Sequence, residues 1–304
     1  MQNLLITGGT GFIGAWIIRH LRGTQTQIRV LDVSTRRDIV DLVLGADANR
    51  VEWLQGDISD GETVTRATQT CDAVIHLAGL QVPACQKDPI LGAKVNVIGT
   101  LNVFEAAKRH GVKNVVYMST AAVFGPQDGT IPNPITHYGS FKLATEGCAR
   151  SYWLNDGIGS VGFRPYVVYG PGRDVGLTAG VSLACRAAAY GESYVIPFTG
   201  GADFLYVEDL AQAIIIAAKM PADGAHIVAL PGEVGDTDRI IAEIVKNVPK
   251  AKITANGVRN PTAQKLTGND MRKIAPNVPN TSLAEGIRMT IDFFQRSVES
   301  ARRR

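Results

Sequence analysis

The chain has 304 residues, 45% of them hydrophobic and 19% charged, with a formal net charge of +3. That length allows one large domain or two modest ones, and the composition excludes a chain-wide disordered polymer. So mild a charge argues against a nucleic acid or a membrane surface as partner.

Short apolar, β-branched runs recur at 4–7, 28–32, 51–54, 73–77, 115–118, within 161–168 and at 226–230. Helical patterns lie between them at 12–22, 93–110, 138–154 and 208–219. Runs that are apolar throughout suit strands buried on both faces of a parallel sheet. Strand–helix alternation of this kind predicts an α/β fold with a doubly wound parallel sheet of the Rossmann type. The pattern loosens after about 170, where Pro171, Gly172, Gly176, Gly180, Pro197, Gly200 and Gly201 punctuate it. A dinucleotide-binding domain over 1–170, rejoined by 203–232, is therefore expected, with 171–304 mainly a smaller substrate-binding region. No apolar run approaches the ~18 residues that span a bilayer. No basic leader opens the chain, so a cytoplasmic protein is expected. The spacing of Cys71, Cys85, Cys148 and Cys185 forms no metal clip, and the five histidines are scattered. Reduced thiols and no metal site are expected.

Thr7-Gly8-Gly9-Thr10-Gly11-Phe12-Ile13-Gly14 directly follows the first strand and opens a helix. Gly8 suits a tight strand-to-helix turn, Gly11 lets backbone approach a pyrophosphate, and Gly14 lets the helix pack closely. The helix N-terminus adds free N–H groups and a positive dipole. Asp32 ends the second strand and can take both ribose hydroxyls of NAD while repelling a 2′-phosphate. Arg36 and Arg37 nearby leave NADP as the alternative. Ligands of such sheets bind at the carboxyl ends of strands. Asp57, His76 to Gly79, Ser119-Thr120 and Tyr166 to Pro171 all fall at that edge.

Tyr138 and Lys142 stand four residues apart on one helix face. A free phenol, with a pKa of ~10, is a poor base at neutral pH. A neighbouring ammonium favours the phenolate, which can take a proton from an alcohol while hydride leaves the same carbon. Thr120 can hydrogen-bond the reacting oxygen.

With these residues in place, the chain resembles the extended short-chain dehydrogenases/reductases of the NAD-dependent epimerase/dehydratase family. The matching stretches are TGGTGFIG (7–14), GDI (56–58), HLAG (76–79), DP (88–89), NVIGTLNVFEAA (96–107), STAAVFG (119–125), YGSFK (138–142), RPYVVYGPG (164–172) and DFLYVEDLAQA (203–213). The resemblance implies that Gly8, Gly11, Phe12, Ile13 and Gly14 hold the pyrophosphate and Asp32 the adenosine ribose. It implies that Asp57 and Ile58 flank adenine, that Leu77, Ala78 and Gly79 line the cleft, and that Asn96 orients the catalytic helix. Ser119 and Tyr166 would face the cofactor, and Lys142 would also bind the nicotinamide ribose. It further implies a homodimer built on 94–110 and 138–154.

Departures from the family narrow the chemistry. The dehydratases place an Asp-Glu pair after the catalytic Thr, and the decarboxylases use a glutamate where Ala122 stands. Here Ala121 and Ala122 follow Thr120, which favours plain hydride transfer on a sugar or sugar derivative, as an epimerase or a dehydrogenase. Val167 and Ala202 replace an Asn and an Arg that hold a substrate diphosphate in many members. Arg164 and Arg173 remain as anion ligands for a smaller substrate, unless they form salt bridges around a turn. A nucleotide-sugar 4-epimerase and a catalytically silent NAD sensor are the competing expectations.

Overall fold

The computed structural model describes residues 1–45, 51–126, 130–220, 223–260 and 269–302. The first half runs β1 (Asn3–Thr7), α1 (Phe12–Leu21), β2 (Gln27–Asp32), α2 (Asp38–Leu44), β3 (Val51–Gln55), α3 (Gly61–Thr68) and β4 (Ala73–His76). Next come α4 (Val82–Lys87), α5 (Pro89–Ala93), a π turn (Lys94–Ile98), α6 (Gly99–His110), β5 (Asn114–Met118), a 3-10 turn (Ala121–Phe124) and α7 (His137–Asp156). There follow β6 (Gly159–Arg164), β7 (Val167–Tyr169), α8 (Gly180–Tyr190), β8 (Ser193–Thr199), β9 (Gly201–Tyr206), α9 (Val207–Lys219) and β10 (Ala225–Ala229). The chain continues with β11 (Glu233–Asp236), α10 (Thr237–Asn247), β12 (Lys252–Arg259), α11 (Met271–Ile274) and α12 (Leu283–Arg302).

Seven strands form one parallel sheet in the order β10-β6-β5-β4-β1-β2-β3. Successive side chains point to opposite faces, so a central strand such as β5 feeds two cores. In β5, Val116 and Met118 join the core beneath α1 and α9, while Val115 and Tyr117 join the core beneath α3 and α6. Because the sheet is parallel, Thr7, Asp32, His76, Met118 and Arg164 all end their strands at one edge.

Two expected elements divide. The run within 161–168 is two strands, because Pro165 has no N–H for a ladder. β6 stays in the large sheet, whereas β7 pairs with β9 in a separate three-stranded sheet that includes β11. The helix expected over 93–110 is α5, a π turn and α6, with Asn96 inside the π turn. Such π turns occur often at functional sites. β8 and β12 form a third, two-stranded parallel sheet. No helix among the described residues is long and apolar enough to cross a membrane.

Candidate active site

The glycine loop is built by contact as much as by conformation. Gly8 has φ +69, and a Cβ there would stand 2.6 Å from the Ala78 nitrogen. A Cβ on Gly14 would stand 2.6 Å from the Gly9 Cα, so only glycine lets the loop close against α1. Gly11 caps α1 without a side-chain bond, and the first turn carries no acid. Phe12 and Ile13 therefore begin a helix whose N-terminus keeps its positive field and its open donors. Asp32 sits beside this loop: its Oδ2 accepts from the Thr10 N–H (3.1 Å) and Oγ1 (2.7 Å), its Oδ1 from the Ser34 N–H (3.0 Å). Thr10 was not singled out from the sequence; it braces the carboxylate against the loop. Arg36 is paired with Asp38, and Arg37 lies 5.2 Å from the Trp53 ring centroid. Both alternatives to Asp32 are thus engaged elsewhere.

A buried polar chain ties the strand ends together. The Thr100 hydroxyl donates to the Asn96 carbonyl (2.7 Å), so its oxygen accepts from His76 Nε2 (3.0 Å). His76 Nδ1 then accepts from the Thr7 hydroxyl (2.7 Å), whose oxygen takes the Ala78 N–H (3.4 Å). Burial, with the Lys142 charge, pulls the His76 ring down to about 3 and keeps it neutral. Leu77 donates its N–H to the Thr7 carbonyl at 3.0 Å. Asn96, expected to orient the catalytic helix, instead clamps the loop after β4. Its amide accepts from the Leu80 N–H (3.2 Å) and donates to the Leu80 carbonyl (3.1 Å) and to Cys85 Sγ (3.2 Å). A Cβ on Gly79 would reach within 2.8 Å of Asn96 Oδ1 and 3.5 Å of Lys142 Nζ, so glycine lets this loop lie close against Asn96 and Lys142. Ile58 is buried against Gly99, and its carbonyl takes the Asn102 amide at 3.0 Å. Asp57 is exposed and caps its own turn through the Ser59 N–H (2.8 Å).

Thr120 caps the 3-10 turn, its Oγ1 accepting from the Ala122 N–H at 3.1 Å. Its side chain lies where it favours the Tyr138 phenolate. α7 begins at Thr136, whose side chain accepts from the Gly139 N–H. A Cβ on Gly139 would stand 2.6 Å from the Ala122 carbonyl oxygen. Glycine beside Tyr138 is what lets α7 approach the Thr120 turn. Lys142 is 4% exposed, with Nζ 5.9 Å from the Tyr138 ring centroid. Burial pushes the Tyr138 phenol above its ordinary value, while the Thr120 side chain and the Arg173 charge pull it back. Burial likewise pulls the Lys142 amine down to about 8. In the protein alone desolvation outweighs the charge effect expected from the Tyr–Lys spacing.

Arg164 and Ser119 are not free. The Arg164 guanidinium grips Glu146 through both oxygens, and the Ser119 hydroxyl donates to the same carboxylate. Arg164 thus forms a salt bridge, which was the alternative to an anion site. Arg173 differs: Nη1 donates to the Val168 carbonyl (2.5 Å), Nη2 to Thr178 Oγ1 (2.8 Å), and its buried Nε has no partner among the described residues. Burial pulls its guanidinium down to about 10, opposed by the Tyr138 phenol. Tyr166 Oη is also buried, without a hydrogen-bond partner among the described residues. Val167 and Ala202 are buried at 4% and 0% exposure. The four cysteines are free thiols, and no metal-binding cluster occurs among the described residues.

Residues 4–230 match the NAD dependent epimerase/dehydratase family. The chain belongs to that family. It is an enzyme of the extended short-chain dehydrogenase/reductase type, and the family's cofactor is NAD. A UDP-glucose 4-epimerase of Mycolicibacterium smegmatis is 27% identical over 307 residues, covering 96% of this chain and 98% of that one. The decarboxylating sterol-4-alpha-carboxylate 3-dehydrogenase of Candida albicans is 30% identical over 73% of this chain and 66% of its own. The Thermus thermophilus UDP-glucose 4-epimerase, solved with NAD, superposes with a TM-score of 0.78 at 26% identity, covering 97% of this chain and 99% of that one.

Proposed function

We propose that this enzyme moves a hydride at a secondary alcohol of a sugar or sugar derivative, with Thr120, Tyr138 and Lys142 as the catalytic residues. The observation that carries the reading is the buried Lys142, with Nζ 5.9 Å from the Tyr138 ring centroid, on the helix that Gly139 lets approach the Thr120 turn. The uncapped α1 terminus and the Asp32 carboxylate beside it fit a dinucleotide. Gly8, Gly11, Phe12, Ile13 and Gly14 would hold its pyrophosphate and Asp32 its adenosine ribose. Asp57, Ile58, Leu77, Ala78, Gly79 and Tyr166 would line its cleft. NAD supplies the hydride acceptor. Tyr138 takes the proton from the alcohol oxygen, Thr120 holds that oxygen, and the Lys142 ammonium favours the phenolate. Asn96 keeps the loop around Gly79 in place.

Ala121 and Ala122 offer no acid for a departing hydroxyl, which supports epimerase or dehydrogenase chemistry over dehydration. The buried, apolar Val167 and Ala202 and Arg173, which has no carboxylate partner among the described residues, support a small acidic substrate, a sugar acid, bound by elements after residue 170. A charged hydrogen bond contributes ~1.5–3 kcal/mol, so two missing donors weaken a diphosphate complex by powers of ten. The second reading, a nucleotide-sugar 4-epimerase, is favoured by relatives of that name that match nearly the whole chain. A homodimer through 94–110 and 138–154 is part of the proposal. The experiment is incubation with NAD and a panel of sugar acids, free sugars and UDP-, GDP- and dTDP-sugars, followed by NADH absorbance and NMR of the products. Conversion of a sugar acid supports the reading. Tight, saturable binding and turnover of a nucleotide sugar replaces it with the second.

A further inference from the structure

The α7 face that carries Tyr138 and Lys142 continues one turn on to Glu146. That carboxylate is 8% exposed, and three donors converge on it. Ser119 Oγ and Arg164 Nε donate to Oε1 at 2.5 and 2.7 Å, and Arg164 Nη2 donates to Oε2 at 2.5 Å. The donors come from different elements. Ser119 follows β5 and immediately precedes Thr120; Arg164 ends β6, and its guanidinium lies 4.8 Å from the centroid of Phe124, in the 3-10 turn that Thr120 caps. One carboxylate therefore fastens α7 to the end of β5, the end of β6 and the turn between them.

We infer that Glu146 is a positioning residue: through Ser119 and Arg164 it sets the separation between the Thr120 hydroxyl and the Tyr138 phenol. The inference rests on Tyr138 being the base. A buried ion pair is a weak source of net stability, and apolar replacement of both partners is often neutral. What it supplies here is directional restraint along α7. The Thr120 side chain offsets part of the burial cost of the phenolate, an influence that falls off as the two groups separate. The other charged or titratable groups acting on Tyr138 are Cys85 and Arg173, with Lys142 beside its ring.

The test is the double variant Glu146→Gln with Arg164→Met. It removes the pair with no net change in charge and strands no buried guanidinium. Titration of Tyr138 is read from the near-ultraviolet phenolate band of the NAD-loaded protein, as the difference between each protein and its own Tyr138→Phe counterpart. The double variant should fold, bind NAD within about twofold of the parent, and titrate Tyr138 higher by roughly 0.5–1 pH unit. Glu146→Gln alone leaves Arg164 charged, and that direct field would push the phenol the other way, so the sign separates placement from field. An unmoved titration in the folded double variant overturns the inference. If the parent shows no phenolate difference at all, it is the assignment of Tyr138 as base that fails.

Discussion

Gly8→Ala is expected to damage cofactor binding more than a surface substitution would. At φ +69 an alanine is held in the left-handed region, which costs about 1 kcal/mol. The added Cβ would also meet three backbone atoms: the Ala78 nitrogen at 2.6 Å, the Ala78 Cα at 2.8 Å and the Leu77 carbonyl carbon at 2.9 Å. Backbone cannot rotate away as a side-chain tip can, so overpacking adds roughly 1–3 kcal/mol. At about 2 °C per kcal/mol for a chain of this size, the melting temperature should fall by roughly 4–8 °C. The relief available is an outward shift of 77–79, which also loosens the Ala78 bond to Thr7 and so the polar chain to His76. NAD affinity should then fall about tenfold or more, or ~1.4 kcal/mol. Calorimetric melting and titration with NAD measure both. A variant with the parent's melting temperature and NAD affinity would refute the contact argument.

Asp32 should make NAD bind at least about tenfold more tightly than NADP, with Asp32→Asn narrowing the gap; equal affinities in the parent protein would move the credit to Arg36 or Arg37. Asp203 is 3% exposed, and burial raises its carboxyl to about 6 despite the Gly232 N–H that it accepts at 2.8 Å. Because the folded value lies above the unfolded one of ~3.9, its contribution is fully present below pH ~4 and is lost as pH rises through about 6. Ionised Asp203 therefore costs on the order of 3 kcal/mol at neutral pH. Asp203→Asn, which keeps an acceptor, should leave the melting temperature nearly unchanged at pH 4 and raise it at pH 8; a difference independent of pH would contradict this.

The parallel sheet is legible because each of its strands is a short apolar run followed by glycine or a polar residue, as in Leu4 to Gly8 and Ala73 to Gly79. The glycine loop is legible for the same reason: GGTGFIG can only serve a close approach. Less visible is what depends on pairing at a distance. Pro165 splits the sixth run, yet nothing local says that β7 leaves the large sheet for β9. The π turn around Asn96 has no sequence marker among Lys94 to Ile98. Arg164 looks available in sequence because its partner lies 18 positions earlier on another element. Glu146 could have been noticed, since Tyr138, Lys142 and Glu146 repeat at four-residue spacing, but the spacing alone does not reveal the Ser119 and Arg164 donors. The loosened pattern after 170 hides α8, α10, α12 and the four strands β8, β9, β11 and β12 among frequent glycines and prolines.

The central claim is that a sugar's secondary alcohol gives up hydride while Tyr138 takes its proton. It is tested most directly by mixing NAD-loaded protein with the active sugar of the panel and following NADH absorbance in a single turnover, for the parent and for Tyr138→Phe. The account predicts NADH formation in the parent, and a rate lower by ~10²-fold or more in the variant, with NAD binding retained. Equal rates in the two proteins would contradict it.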